Sequence, residues 1–219
     1  MTDQYRRRLA RFLIVVAVLA AVAQGAALQL GSRSAEEWVK TLDTPQRIAG
    51  LKIDEVVSKL RLKPGQTVAD IGAGTGLFEG ALAHAVSPGG TVYAVDVEQG
   101  LIDHISQRAT DLKVSNVRVV LGKFTDPALP VRTIDVALIN DVLHHIEDRA
   151  TYVKNLAGYL NATGRIAVID FRPGQGGHLN QPELRITKEQ TDAWMATAGL
   201  KPAEEINLFP DKWFVVYSR

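Results

Sequence analysis

Two groups of residues in this chain have types and spacings suited to chemistry. The first is Asp70 followed by Gly72-Ala73-Gly74-Thr75-Gly76. Glycines at alternate positions let the backbone turn tightly and let a ligand approach without meeting a Cβ atom. A loop that cradles phosphates offers amide N–H groups and no carboxylate, whereas Asp70, just before these glycines, attracts an ammonium or sulfonium group. The pattern therefore points to a cationic cofactor. Asp96, with Val97 beside it, follows about twenty residues after the glycines, where a carboxylate accepts hydrogen bonds from ribose hydroxyls. A dinucleotide site is the weaker reading, because Leu77 stands where that fingerprint needs a third glycine.

The second group is Asn140, Asp141, His144 and His145. A histidine close to a reacting group can serve as general base. His145 is the first candidate and His144 the alternate; the competing reading has both rings packing on a ligand or bonding to backbone. Asp141 and Asp170 at neighbouring strand ends form a pair that could hold a divalent cation, but no further oxygen ligand is evident and no metal is expected.

The elements that position these residues alternate. Strands are expected at Thr67 to Ile71, Thr91 to Val95, Val117 to Leu121, Thr133 to Ile139 and Arg165 to Ile169, with helices near 77–86, 99–112 and 150–160 between them. Asn161-Ala162-Thr163-Gly164 is expected to be the turn closing the last of these helices. Strands and helices in alternation specify a parallel sheet covered on both faces. After a helix near 188–198, two more strands, about 204–208 and 213–217, are separated only by Phe209 to Lys212, which demands a hairpin. The fold class is thus α/β, a Rossmann-like doubly wound seven-stranded sheet, mostly parallel with the last strand antiparallel. Trp194 and Met195 read as core residues of the 188–198 helix.

On Val68 to Gly76, Val92 to Val97, Gly122, Ile134 to His145 and Gly164 to Phe171, the chain resembles the class I S-adenosylmethionine-dependent methyltransferases, over about residues 52–217. More closely, it is similar to bacterial exported or membrane-tethered methyltransferase-domain proteins of the small-molecule branch. The resemblance implies S-adenosyl-L-methionine as cofactor, with its methionine part on the loop around Gly72 and Gly74, aided by Asp70, and its ribose on Asp96. Where relatives carry an acid after the third strand this chain has Lys123, leaving Phe124 to pack on the adenine face and Asp126 as a replacement acceptor. Asn140, Asp141 and the histidines would face the methyl group. The glycine-containing 172–182 segment would be a lid over the acceptor pocket, with Arg172 and Arg185 available to an anionic acceptor.

With 25 Lys+Arg against 24 Asp+Glu, the chain has no overall field to recruit nucleic acid. The absence of cysteine excludes disulfides and thiol nucleophiles, and argues against cysteine-dependent arsenite methylation. The partner expected is a small-molecule methyl acceptor. Residues 1–31 read as a signal peptide or membrane anchor: Arg6, Arg7, Arg8 and Arg11 precede an apolar run from Phe12 to Ala23, an arrangement that keeps the N-terminus cytoplasmic and sends the domain outward. The arginines also loosely match a twin-arginine export pattern. Residues 32–61 form a helical lead-in of one or two helices and 62–219 the methyltransferase domain. Because the cofactor is made in the cytoplasm, export raises a second hypothesis: a non-catalytic binding module that retains the fold.

Overall fold

The structure is a computed structural model that describes residues 34–176 and 181–219. The signal and anchor readings of residues 1–31 lie outside the described residues. Among the described residues, no helix is long and apolar enough to cross a membrane.

The lead-in is three short helices, α1 (Ala35–Leu42), α2 (Pro45–Leu51) and α3 (Ile53–Leu60). Thr44 caps α2, its hydroxyl accepting from the Arg47 N–H, with Pro45 in the first turn. Lys52, in the left-handed region at φ 48°, separates α2 from α3. Then follow β1 (Thr67–Ile71), α4 (Glu79–Ala85), β2 (Thr91–Asp96), α5 (Gln99–Asp111), β3 (Val117–Leu121), β4 (Ile134–Asn140), a single 3₁₀ turn (Leu143–His145), α6 (Arg149–Ala157), β5 (Leu160–Phe171), α7 (Lys188–Thr197), β6 (Lys201–Glu205) and β7 (Lys212–Ser218).

The seven strands run in the order β3-β2-β1-β4-β5-β7-β6. All neighbours are parallel except β7, which pairs antiparallel with both β5 and β6. The expected fold class is therefore the observed one. Period-two alternation divides the core in two. Val68, Val92, Val136 and Leu138 pack under α3 and α4, whereas Ala69, Ile71, Ala137 and Ile139 face α6 and α7. Trp213, Tyr217 and Phe214 are the largest wholly buried side chains, so β7 is central to the packing although it lies next to the sheet edge.

Residues 161–164, expected as a turn, are part of β5. They form an irregularity in its pairing with β4, where the register shifts between Ile134 and Val136. Gly164 permits this, since a Cβ there would stand 2.6 Å from the Ile134 carbonyl oxygen. Asp135 fixes the junction: one carboxylate oxygen accepts from the Thr67 N–H at 2.7 Å and the other from the Asn161 side-chain amide at 2.7 Å. The strand expected at 204–208 is displaced to Lys201–Glu205, because Ile206 and Phe209 turn into the core beside α3 and α4.

Asp135→Ala removes an acceptor shared by β1 and β5 and leaves the half-buried Thr67 N–H without its partner. The expected loss is about 1–3 kcal/mol, seen as a lower urea midpoint with an unchanged slope.

Candidate functional site

The site lies outside the carboxyl ends of β1, β2, β4 and β5, at the point where strand order reverses. The parallel register pairs Ile71 with Val95 and with Ile139, so Asp70, Asp96 and Asn140 arrive at one edge. Their parity puts all three on the α4 side. Gly72, Gly74 and Gly76 have φ of 69°, 59° and 77°, values that L side chains rarely adopt. A Cβ on Gly72 would also fall 2.5 Å from the nearer Val142 methyl.

Asp96 holds this loop in shape, one oxygen accepting from the Gly74 N–H at 2.9 Å and the other from the Glu98 N–H at 3.1 Å. Burial nevertheless raises its pKa against the pull of those amides. The Thr75 hydroxyl donates to Asp43, at the end of α1, and Arg108 on α5 donates to the same carboxylate at 2.9 Å. The lead-in is thus tied directly to the glycine loop. Ala73 and Val97 are half-buried beside the loop.

Asp70 is 3% exposed and sits beside Glu79, itself 1% exposed. Burial pushes the Asp70 carboxyl up to about 7, hydrogen bonding with the Glu79 side chain pulls it back in part, and the charge of Asp96 adds to the rise. Glu79 is raised as well, first by burial and then by Asp70. Sequence reasoning missed Glu79, because an acid in the first turn of a helix ordinarily looks like a solvated partner of the helix dipole.

On the opposite face of the sheet, His144 and Asp170 form a buried pair, with His144 Nδ1 2.7 Å from Asp170 Oδ1. The His144 and Phe171 backbone N–H groups also donate to that carboxylate, at 3.3 and 2.8 Å. Arg149 clamps the 3₁₀ turn, donating to the Leu143 carbonyl at 3.2 Å and the His144 carbonyl at 2.7 Å, and lies over the Trp194 ring. His145, by contrast, is exposed, its ring 4.1 Å from that of His144. The structure therefore brings the alternate histidine against Asp170. Met195 is buried as expected, whereas Trp194 is half-buried.

Asp141 has φ 56° and receives Lys212 Nζ at 2.6 Å, with that ammonium lying 4.6 Å from the Phe171 ring centre. Burial raises the Asp141 carboxyl despite the opposing pull of Lys212. Lys212 was the second omission; its signal was a lone cation opening the apolar strand 213–217. With Lys212 on Asp141 and His144 on Asp170, each member of the expected acid pair has a protein partner, and no cluster able to hold a metal is found among the described residues.

At the end of β3, Phe124 is 51% exposed. One Asp126 oxygen takes both the Tyr159 hydroxyl at 2.8 Å and the Ala128 N–H at 2.6 Å, so Oδ1 of its carboxylate is already engaged within the protein. Lys123 is exposed and its backbone bridges to Asp126.

Around the glycine loop and the end of β4, Asn140 Oδ1, Asp141 Oδ1 and both Glu79 oxygens are buried and receive no hydrogen bond. All four are acceptors. What they lack is a ligand bringing N–H or O–H donors or positive charge, and the donor set fits a cationic nucleoside better than a phosphate.

A doubly wound sheet with a glycine loop and acids at its carboxyl edge is the architecture of nucleoside- and nucleotide-binding α/β domains. A methyltransferase-domain family model matches residues 62–207, and the chain belongs to that family. It is 29% identical over 123 residues to a nocamycin O-methyltransferase from Saccharothrix syringae, covering 56% of this chain and 41% of that one. It is 23% identical over 117 residues to a demethylmenaquinone methyltransferase from Geobacillus, covering 53% and 50%. The chain thus spans half or less of the length of these curated relatives. A SAM-dependent methyltransferase from Aquifex aeolicus shares the fold with a TM-score of 0.74 at 23% identity, over 82% of this chain and 95% of that one.

Gly72→Ala should destabilise the protein by more than the roughly 1–2 kcal/mol cost of a left-handed alanine, because Val142 adds a clash. In Gly72→Ala/Val142→Ala, relief of that clash should recover only part of the loss on chemical denaturation; full recovery would mean that backbone conformation contributes nothing.

Proposed function

We infer that the protein is an S-adenosylmethionine-dependent methyltransferase whose acceptor is a small molecule carrying a hydroxyl. The observation that carries this reading is the set of buried, unfilled acceptor atoms around the glycine loop and β4, which calls for a cationic ligand. In this reading the loop from Gly72 to Gly76 and Asp70 hold the methionine part, Asp96 the ribose, and the exposed Phe124 ring stacks on the adenine. The cofactor, when bound, supplies a methyl group on a positively charged sulfur for in-line displacement.

The protein's own part is alignment, exclusion of water and movement of one proton. Asp170 accepts from His144 Nδ1–H, which fixes the tautomer and leaves Nε2 as the basic nitrogen. His144 Nε2 then takes the acceptor hydroxyl proton as the oxygen attacks, and Asp170 stabilises the imidazolium that forms. Arg149, on the two carbonyls of the turn, keeps the ring in place. Residues 171–173 and 184–186 line the cleft beside His144, and Arg172 there suits an acceptor with an anionic group. The O-methyltransferase activity named for the Saccharothrix relative is consistent with a base of this kind.

Calorimetry with S-adenosylmethionine and S-adenosylhomocysteine should show saturable binding of both, and heat with neither would remove the methyltransferase reading. Against a panel of phenols and hydroxy acids, His144→Ala should lower turnover by about 10²- to 10⁴-fold with cofactor affinity kept, whereas His145→Ala should stay near wild type. Equal losses in the two variants would displace His144 from the role of base.

The arginines and apolar run of residues 6–23 support export or a membrane tether that leaves the domain outside the cytoplasm. A fusion after Arg219 to a reporter that fluoresces only in the cytoplasm should stay dark; bright cells would reverse the assignment.

A further inference from the structure

Resting on the cofactor reading above, we propose that Glu79 is a positioning residue that stores a proton with Asp70 in the empty site, and that binding of the cationic cofactor expels one proton from this pair. Both carboxyl groups are almost wholly buried and act directly on one another, and neither Glu79 oxygen is met by a donor from a third side chain. With no donor directed at it, a doubly ionised pair would carry two uncompensated charges in a dry site, so protonation is what lets the two groups lie together.

The other charged groups around the pair do not remove this requirement. Asp96 on β2 adds negative charge from one side. Arg108 on α5 is the cation nearest Glu79, but its guanidinium is committed to Asp43, which also takes the Thr75 hydroxyl. Glu79 Oε2 would lie only 3.3 Å from a Cβ on Gly76, so its carboxyl is directly behind the glycine loop that Asp70 precedes. Burial raises Asp70 to about 7 and raises Glu79 as well, so at acid pH the pair holds two protons and is uncharged, and the first of them is lost near neutrality. An ammonium or sulfonium arriving at the loop favours the singly negative pair, and the displaced proton goes to solvent.

The linkage sign follows. Below pH ~7 the cofactor must expel a proton to bind, so its affinity should weaken by up to roughly tenfold per pH unit. Above pH ~8 the pair is already negative and release should cease. In the empty protein, raised carboxyl pKa values give stability that is present at acid pH and lost as pH rises from about 4 towards 7.

The test is calorimetry of S-adenosylmethionine binding at pH 6.0 in buffers of different ionisation enthalpy, where the cofactor's own amino group is fully protonated. Wild type should release close to one proton per site. Asp70→Asn removes the carboxyl whose proton is displaced, so release should fall towards zero, whereas Glu79→Gln, which keeps a neutral donor beside a buried Asp70, should release as wild type does. A second measurement on the cofactor-free proteins keeps the proposal open to refutation if a variant binds poorly. Wild type should lose melting temperature between pH 5 and 7, and Asp70→Asn should lose less. Cofactor binding without proton release, or an equal release from Asp70→Asn, overturns the proposal and leaves the methyltransferase reading standing. No binding at any pH overturns both.

Discussion

Four carboxyl groups buried along one sheet edge, with a fifth, Asp141, mostly covered beside them, are the constraint to which the rest of this structure answers. Asp70, Asp96 and Asp170 end or adjoin strand ends, Asp141 follows β4, and Glu79 opens α4. A parallel sheet whose interior positions are all apolar has no other place for such groups, and at its carboxyl edge they meet little water. Three are compensated by the protein: Asp96 by two backbone amides, Asp170 by His144 and two amides, and Asp141 by Lys212. The Asp70–Glu79 pair has no such donor. The compensation is therefore uneven, and the deficit falls where the backbone is glycine and a ligand can come closest. In this way a cationic cofactor would complete the electrostatics of the fold instead of adding to a finished one.

The two-residue period of the strands also separates two kinds of chemistry. Residues on the Val68 and Leu138 parity end in Asp70, Asp96 and Asn140, on the side of the glycine loop and α4. Residues on the Ile166 and Val168 parity end in Asp170, on the side of α6 and α7, where the 3₁₀ turn delivers His144. The acids proposed for binding and the acid proposed for proton transfer are thus held apart by the sheet itself, and β4 is the strand at which the two halves touch. The lead-in joins the first half: Asp43 links α1 to Thr75 and to Arg108, so helices preceding the domain act on the loop through one carboxylate.

Much of this was legible in the sequence because the signals are local. Alternation of apolar runs gave the strands, glycine spacing gave the loop, and the short link before residue 213 required β7 to reverse. What escaped was set by partners distant in sequence. His144 and His145 are neighbours of identical type, and only the packing of β5 beside β4, which brings Asp170 against one ring, tells them apart. Glu79 looks like any acid in a first helical turn until its burial is known. Asp126 reads as a free acceptor until the chain brings Tyr159 across from α6. Residues 161–164 carry every mark of a turn, and Asp135 together with Gly164 is what keeps them in the strand.

The same geometry bears on the acceptor side of the proposed reaction. His144 is 3% exposed, and the cleft beside it, between Phe171 to Gln175 and Leu184 to Ile186, holds about 20 Å³, room for about one water. In the reading of His144 as base, an acceptor would reach it only after movement of the 172–176 stretch. Its near end is anchored by the Arg172 N–H on the Asp211 carbonyl at 2.8 Å, whereas Gly174 and Gly176 stand at positive φ just beyond, with the Phe171 ring too close to Gly176 to admit a Cβ. Movement there would uncover the His144 and Phe171 rings together. On the proposed reading, Arg172, Pro173 and Gln175 would line the opened cleft, so that acceptor choice would rest with this stretch and not with the strand ends proposed to hold the cofactor.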